Sequence, residues 1–208
     1  MKTTNHGMSE IRSVCIYCGS SPGRDPIYVE EGAALGRALA EAGIGLVYGG
    51  GTKGVMGAVS EATKAAGGHV TGIIPRFLMR KEATEEDLQR LDELLITDDM
   101  HQRKHAMFER SDAFVALPGG IGTVEEIVEV MTWAQLGRHR KPMVFVNVSG
   151  FWDPMRVLID HMSAEGFVHT AHLVRPLFVD RATDVLPAIR GLATEGTAEG
   201  DQRVIDRL

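Results

Sequence analysis

The sequence predicts a doubly wound α/β domain, a mostly parallel sheet with helices on both faces. Three observations carry this. Short apolar runs of strand type alternate with longer segments of helical periodicity. Runs such as DAFVAL and PMVFVNV are apolar on both faces, as strands covered from two sides must be. Glycines gather where strands end and helices begin, at the edge where ligands bind in such Rossmann-like sheets.

The elements follow in order. RSVCIYC is the first strand, a helix crosses Ile27 to Ala42, IGLVYG is the second strand, and a helix runs from about Val55 to Ala66. HVTGIIP, a polar connection and ELLIT come next, then a helix near Met100 to Arg110 and the strand and turn DAFVALPGG. A helix from Thr123 to Leu136, PMVFVNV, the helix after FWDP and the segment LFVD with its own helix complete the alternation. GLATEGTAEGDQRVIDRL reads as a frayed polar tail. With no internal repeat and no linker, one domain is expected over residues 11–192, between a disordered segment 1–10 and a polar tail 193–208.

Composition narrows the partners. The 208 residues are 44% hydrophobic and 24% charged, which fits one domain with a buried core. The net charge is −6 and no basic run appears, so neither nucleic acid nor an acidic membrane is expected as a partner. A small ligand is the better expectation. MKTTNHGMSE lacks the apolar core of a signal peptide and no apolar run reaches the ~20 residues of a membrane span, so a cytoplasmic location is expected. Cys15 and Cys18 form a C-x-x-C, but on a strand positions three apart point to opposite faces. Two ordinary buried thiols are expected. The eight histidines are scattered without ligand spacing, so no metal is expected.

Three strand ends run into glycine-rich turns: CGSSPG with Gly19 and Ser20, YGGGTKGVMG with Gly49, Gly50 and Gly51, and LPGGIGT with Gly119, Gly120 and Gly122. Glycines let backbone N–H groups approach anionic oxygens, and the helix behind adds its positive end. Each loop alone is as well explained by a tight turn; three at one sheet edge favour a nucleotide. GGGTKGVMG is not G-x-x-x-x-G-K-[ST], which disfavours an ATPase, and G-x-G-x-x-G is missing after the first strand, which disfavours a dinucleotide cofactor. No cofactor is expected.

The stretch from 100 to 137, MHQRKHAMFERSDAFVALPGGIGTVEEIVEVMTWAQLG, sets cations and carboxylates around the third glycine loop. Gly119, Gly120, Gly122 and Thr123 offer donors to a phosphate, and Arg103 and Lys104 supply charge. Glu126 stands three residues after Thr123 on the same helical face. A capped surface helix would explain Glu125 or Glu126 alone, but not their meeting with an Arg-Lys pair across one strand. Met107, Met131 and Trp133 read as core.

PGGIGTVEE resembles the PGGxGTxxE signature of the Lonely Guy (LOG) family of cytokinin riboside monophosphate phosphoribohydrolases. MHQRK, YGGG with GVMG, CGSSPG and TWAQLG stand in the family's order, so the resemblance runs from about Arg12 to Val179. It implies that Arg103 and Glu126 are the catalytic pair, that Lys104, Thr132 and the carboxylate of Glu125 bind substrate, and that Gly119 to Thr123 hold the 5′-phosphate. Glu82 in MRKEAT resembles a family glutamate that contacts substrate.

The implied reaction is hydrolysis of the N-glycosidic bond of a purine nucleoside 5′-monophosphate, adenine or N6-substituted, to free base and ribose 5-phosphate. A homodimer is implied as well. Members have long carried the label lysine decarboxylase, but nothing here marks a Schiff-base lysine for pyridoxal phosphate. The competing readings are a general AMP nucleosidase and a non-catalytic nucleotide carrier of the molybdenum cofactor carrier type.

Overall fold

The computed structural model describes residues 11–168 and 176–198, with the side chains of Arg80, Glu82, Glu85 and residues 194–198 outside that description. The expected disordered segment 1–10, and residues 199–208 of the expected tail 193–208, lie outside the described residues as well.

Among the described residues seven parallel strands form one sheet in the order β4-β3-β2-β1-β5-β6-β7. They are β1 (Ser13–Tyr17), β2 (Gly45–Tyr48), β3 (Val70–Pro75), β4 (Glu93–Thr97), β5 (Ala113–Ala116), β6 (Met143–Val146) and β7 (Leu177–Val179). The connecting helices are α1 (Ile27–Glu41), α2 (Gly54–Ala65), α3 (Met79–Glu82), α4 (Glu85–Leu88), α5 (Met100–Glu109), α6 (Ile121–Gln135), α7 (Asp153–Ala164) and α8 (Val185–Ala198). This is the expected doubly wound α/β fold. None of these helices is long and apolar enough to cross a membrane.

The period-2 alternation of β1 divides the core in two. Val14, Ile16 and Cys18 pack with Leu35 of α1, Val59 of α2 and Val185 of α8, while Cys15 and Tyr17 pack with Met107 of α5 and Ile127 and Val130 of α6. Both thiols are free and buried on opposite faces, as the strand reading expected. On the first face α1 and α2 meet closely through Gly36, and Thr63 donates to the Gly36 carbonyl at 3.2 Å.

Three boundaries differ from the sequence expectation. The polar connection before β4 contains the short helices α3 and α4. The third glycine loop enters α6 at Ile121, two residues earlier than expected, because Gly120, in extended backbone, is the N-cap; Gly122 and Thr123 therefore belong to the first helical turn. α8 continues through Ala198 into the segment read as polar tail.

Strand order reverses between β1 and β5, which makes their carboxyl ends the crevice where ligands bind in open α/β sheets. At the opposite, amino edge, helices turn back into strands through Gly43, Gly67 and Gly137, at φ of +68°, +78° and +72°. A Cβ at any of the three would meet nothing within 4 Å.

Candidate active site

The three glycine loops meet at the switch crevice. The Gly19 N–H donates to the Pro118 carbonyl at 3.1 Å, and the Met56 N–H donates to the Gly19 carbonyl at 3.1 Å, so the first loop is pinned to the other two. Glycine is needed for this closeness: a Cβ on Gly119 would overlap the Thr123 hydroxyl and come 2.9 Å from Gly19 N. Gly54, at φ +59°, would press a Cβ onto the Ser20 and Ser21 backbone. Gly50 turns at φ +76° against Ile74.

Behind these loops lies a buried ion pair. Arg103 Nη1 is 3.4 Å from Glu126 Oε1, and the two side chains are 5% and 6% exposed. The α5 residue Arg103 reaches across the sheet edge, where its Nε donates to the Ile73 carbonyl at 3.2 Å and its Nη2 to the Gly49 carbonyl at 3.4 Å. Two strand ends thus aim the guanidinium at the α6 carboxylate. Gly49 is required for that path, because a Cβ there would fall on Nη2.

Lys104, the next residue on α5, is engaged differently. Its ammonium meets Glu125 Oε1 and lies 3.1 Å from Glu129 Oε2. Burial works against the charge, but the two carboxylates outweigh it, and the Lys104 pKa is raised. Lys104 is therefore a fixed cation, shared between two acids of α6. Sequence reasoning passed over Glu129, although its position four residues after Glu125 places it on the same helical face.

At the mouth, Gly120, Ile121 and Gly122 are exposed and Thr123 is buried. The first N–H groups of α6 have no intrahelical acceptor and carry the positive end of its dipole. Thr132 stands farther along α6, exposed, its hydroxyl donating to the Val128 carbonyl at 2.8 Å. Ser20 is exposed on the first loop, and Gly50 and Gly51 are buried in the second. Glu82 ends α3, and its side chain lies outside the described residues. Met107 and Met131 are core, and the Trp133 ring packs edge-on against Phe108.

Fold and site define a doubly wound α/β enzyme whose charged pair is buried beside a helix N-terminus at the switch crevice. Residues 56–189 match the family described as "Possible lysine decarboxylase". A cytokinin riboside 5′-monophosphate phosphoribohydrolase of Arabidopsis thaliana is 49% identical over 160 residues, 77% of this chain and 72% of that protein. One of Oryza sativa subsp. japonica, described as probable, is 48% identical over 171 residues, 82% of this chain and 73% of that protein. The chain belongs to this Lonely Guy (LOG) family. The molybdenum cofactor carrier protein of Chlamydomonas reinhardtii shares the fold, with a TM-score of 0.65 and 18% identity over 89% of this chain and 99% of that one.

Proposed function

We propose that the protein hydrolyses the N-glycosidic bond of an N6-modified adenosine 5′-monophosphate, releasing free base and ribose 5-phosphate. The observation that carries this is the buried Arg103–Glu126 pair beside the open first turn of α6. The activity of relatives at 48–49% identity supports it.

In this reading the 5′-phosphate sits on Gly119 to Thr123, with Gly19, Ser20 and the Gly49–Gly51 loop closing around the nucleotide. Binding the phosphate away from the breaking bond converts remote binding energy into orientation of the ribose. As the C1′–N bond breaks, positive charge grows on the ribose and faces the Glu126 carboxylate, which also orients the attacking water. The electron pair leaves with the base, which takes a proton, and water supplies the new hydroxyl at C1′. Arg103 holds Glu126 in place and reaches the ribose or phosphate. Lys104 sets the local charge and aligns Glu125 and Glu129.

Neither of the two lysines with a shifted pKa suits a Schiff-base decarboxylation. A Schiff-base lysine must be reached as the neutral amine, whereas the Lys104 pKa is raised between its two acids. Burial lowers the Lys141 pKa, but Lys141 precedes β6 on the amino edge and donates to the Phe108 carbonyl at 2.8 Å.

The test is release of base from AMP and from isopentenyladenosine monophosphate by wild-type protein beside Glu126→Ala. Turnover of the N6-substituted nucleotide, lowered about a thousand-fold or more in the variant, is expected. Preference for AMP would favour a general AMP nucleosidase, and tight AMP binding without base release would favour a carrier.

We also infer a homodimer through α6 and α7. Ile121 and Leu136 on and just after α6 are 86% and 63% exposed, and Val157 and Leu158 on α7 are 65% and 50% exposed. Leu136→Glu is expected to shift the protein from dimer to monomer in sedimentation; an unchanged mass would remove this reading.

A further inference from the structure

The turn after β6, residues 147–152, is built to present one aromatic ring. Buried Asn147 ties it together: the Trp152 N–H donates to Asn147 Oδ1 at 2.7 Å, and Asn147 Nδ2 donates to Asp153 Oδ1 at 3.0 Å. The Gly150 N–H donates to the Asn147 carbonyl at 3.1 Å. Within this frame Ser149, at φ +52°, is the one non-glycine of left-handed backbone among the described residues, and Gly150 follows at φ +73°. A side chain stays in that disfavoured region only where its surroundings over-determine it. A Cβ on Gly150 would come 2.8 Å from Asp153 Oδ2, so the turn is closed tightly on the start of α7.

The ring so presented is Phe151, and it meets Tyr28 of α1 edge to face, with centroids 5.6 Å apart and planes at 72°. This geometry sets the positive edge of one ring against the negative face of the other, which makes the contact directional. Tyr28 packs against the first core and Phe151 against the second, so the pair joins the two around the carboxyl edge of the sheet. Ala116 pairs with Phe145, which brings the turn out beside the third glycine loop.

Tyr28 in turn supports the first glycine loop. A Cβ on Gly23, at φ +76°, would come 2.6 Å from Tyr28 Cδ2, so the loop backbone lies directly on the ring. The Tyr28 N–H donates to the Asp25 carbonyl at 3.3 Å, and the Ile27 N–H donates to Asp25 Oδ1 at 3.0 Å. At its other end the loop is pinned through Gly19 to Pro118 and Met56. Ser20 to Arg24, between these anchors, are exposed. Exposed loops with few buried contacts open at little cost, so the place of this one is set at its two ends.

We propose that Phe151 is a positioning residue for nucleotide binding: through Tyr28 it holds the first glycine loop where that loop closes on the ligand. This role rests on the proposed seating of the nucleotide against Gly19 and Ser20, and it leaves the Arg103–Glu126 pair, carried by α5 and α6, in place.

The experiment is calorimetric titration of AMP into Glu126→Gln protein, where affinity is read without turnover, and into the same protein carrying Phe151→Leu, Tyr28→Leu or both. Leucine keeps an apolar side chain at each place and removes the ring. Each single variant is expected to weaken AMP binding about three- to ten-fold. The double variant should match the weaker-binding single, because both changes remove one contact. Hydrogen exchange without nucleotide should quicken in peptides covering residues 19–28 and stay unchanged in β1 and α6. A ring with a merely structural role would instead quicken exchange across the sheet and leave the AMP affinity alone. Unchanged affinity in Phe151→Leu, additive losses in the double variant, exchange quickened throughout, or no AMP binding by the parent would each overturn the proposal. Base release by wild-type protein is read separately: its failure, with Phe151-dependent AMP binding intact, would unseat the hydrolysis and leave the positioning role standing.

Discussion

Gly49 has a Cβ-sized space filled by the Arg103 guanidinium, and this decides what a single methyl group does there. Gly49→Ala forces Nη2 away from the Gly49 carbonyl and from the line that leads to Glu126. Displacement of a positioned group by about 1 Å costs on the order of a hundred-fold in rate. The variant is expected to lose about that much in kcat with a smaller change in melting temperature, measured by base release and thermal unfolding; wild-type turnover would refute the positioning role. The same residue shows what was legible at this scale. YGGG marks Gly49 as a loop glycine facing a ligand, but its close approach to an arginine 54 positions later is a tertiary fact. The Arg103–Glu126 pair was legible as two residues of one site, while the Lys104 bridge to Glu125 and Glu129 depends on how α5 crosses α6.

Helix α6 carries Thr123 and Glu126 in its first two turns, and the far end of this element is anchored by His139. The Lys141 backbone N–H donates to His139 Nδ1 at 3.1 Å, which leaves Nε2 to donate to the Val130 carbonyl at 2.9 Å. Only the neutral imidazole satisfies both bonds. Burial lowers the His139 pKa below its ordinary 6.5; the Val130 bond opposes this and the Lys141 charge adds to it. With the folded pKa depressed, the unfolded chain takes up the proton first, so the stabilisation is complete above pH 6.5 and is lost as the pH falls below it. Denaturant unfolding between pH 8 and 5 should therefore show wild type losing more stability than His139→Gln. Parallel losses would mean that this imidazole does not control the helix end. Element boundaries were legible wherever periodicity was strong. The start of α6 was not, because in PGGIGT any of several small residues can cap, and the choice of Gly120 follows from the turn that brings Gly119 against Gly19.

On the scale of the whole molecule, the two thiols report on the integrity of the sheet. Cys15 and Cys18 face opposite cores from the central strand, and burial drives both thiol pKa values far upward. The native protein is expected to resist a thiol reagent at pH 8 and to expose both groups together in denaturant; rapid labelling of one in the folded protein would contradict this placement. The fold as a whole was legible, because alternating strand and helix runs with double-sided apolar strands leave few other architectures. A pocket lined by Thr52, Ser60 and Leu91 was not, since residues far apart in the chain bound it.

The division of the sheet into two edges has a practical corollary. Everything chemical gathers at the carboxyl ends, while the turns at Gly43, Gly67 and Gly137 stand clear of their surroundings at the amino ends. A fluorophore, a peptide tag or a link to a solid support joined through the turn at Gly43 or Gly67 would leave the entrance pointing away from the attachment. The molecule has a built-in orientation for immobilisation, with its working side outward.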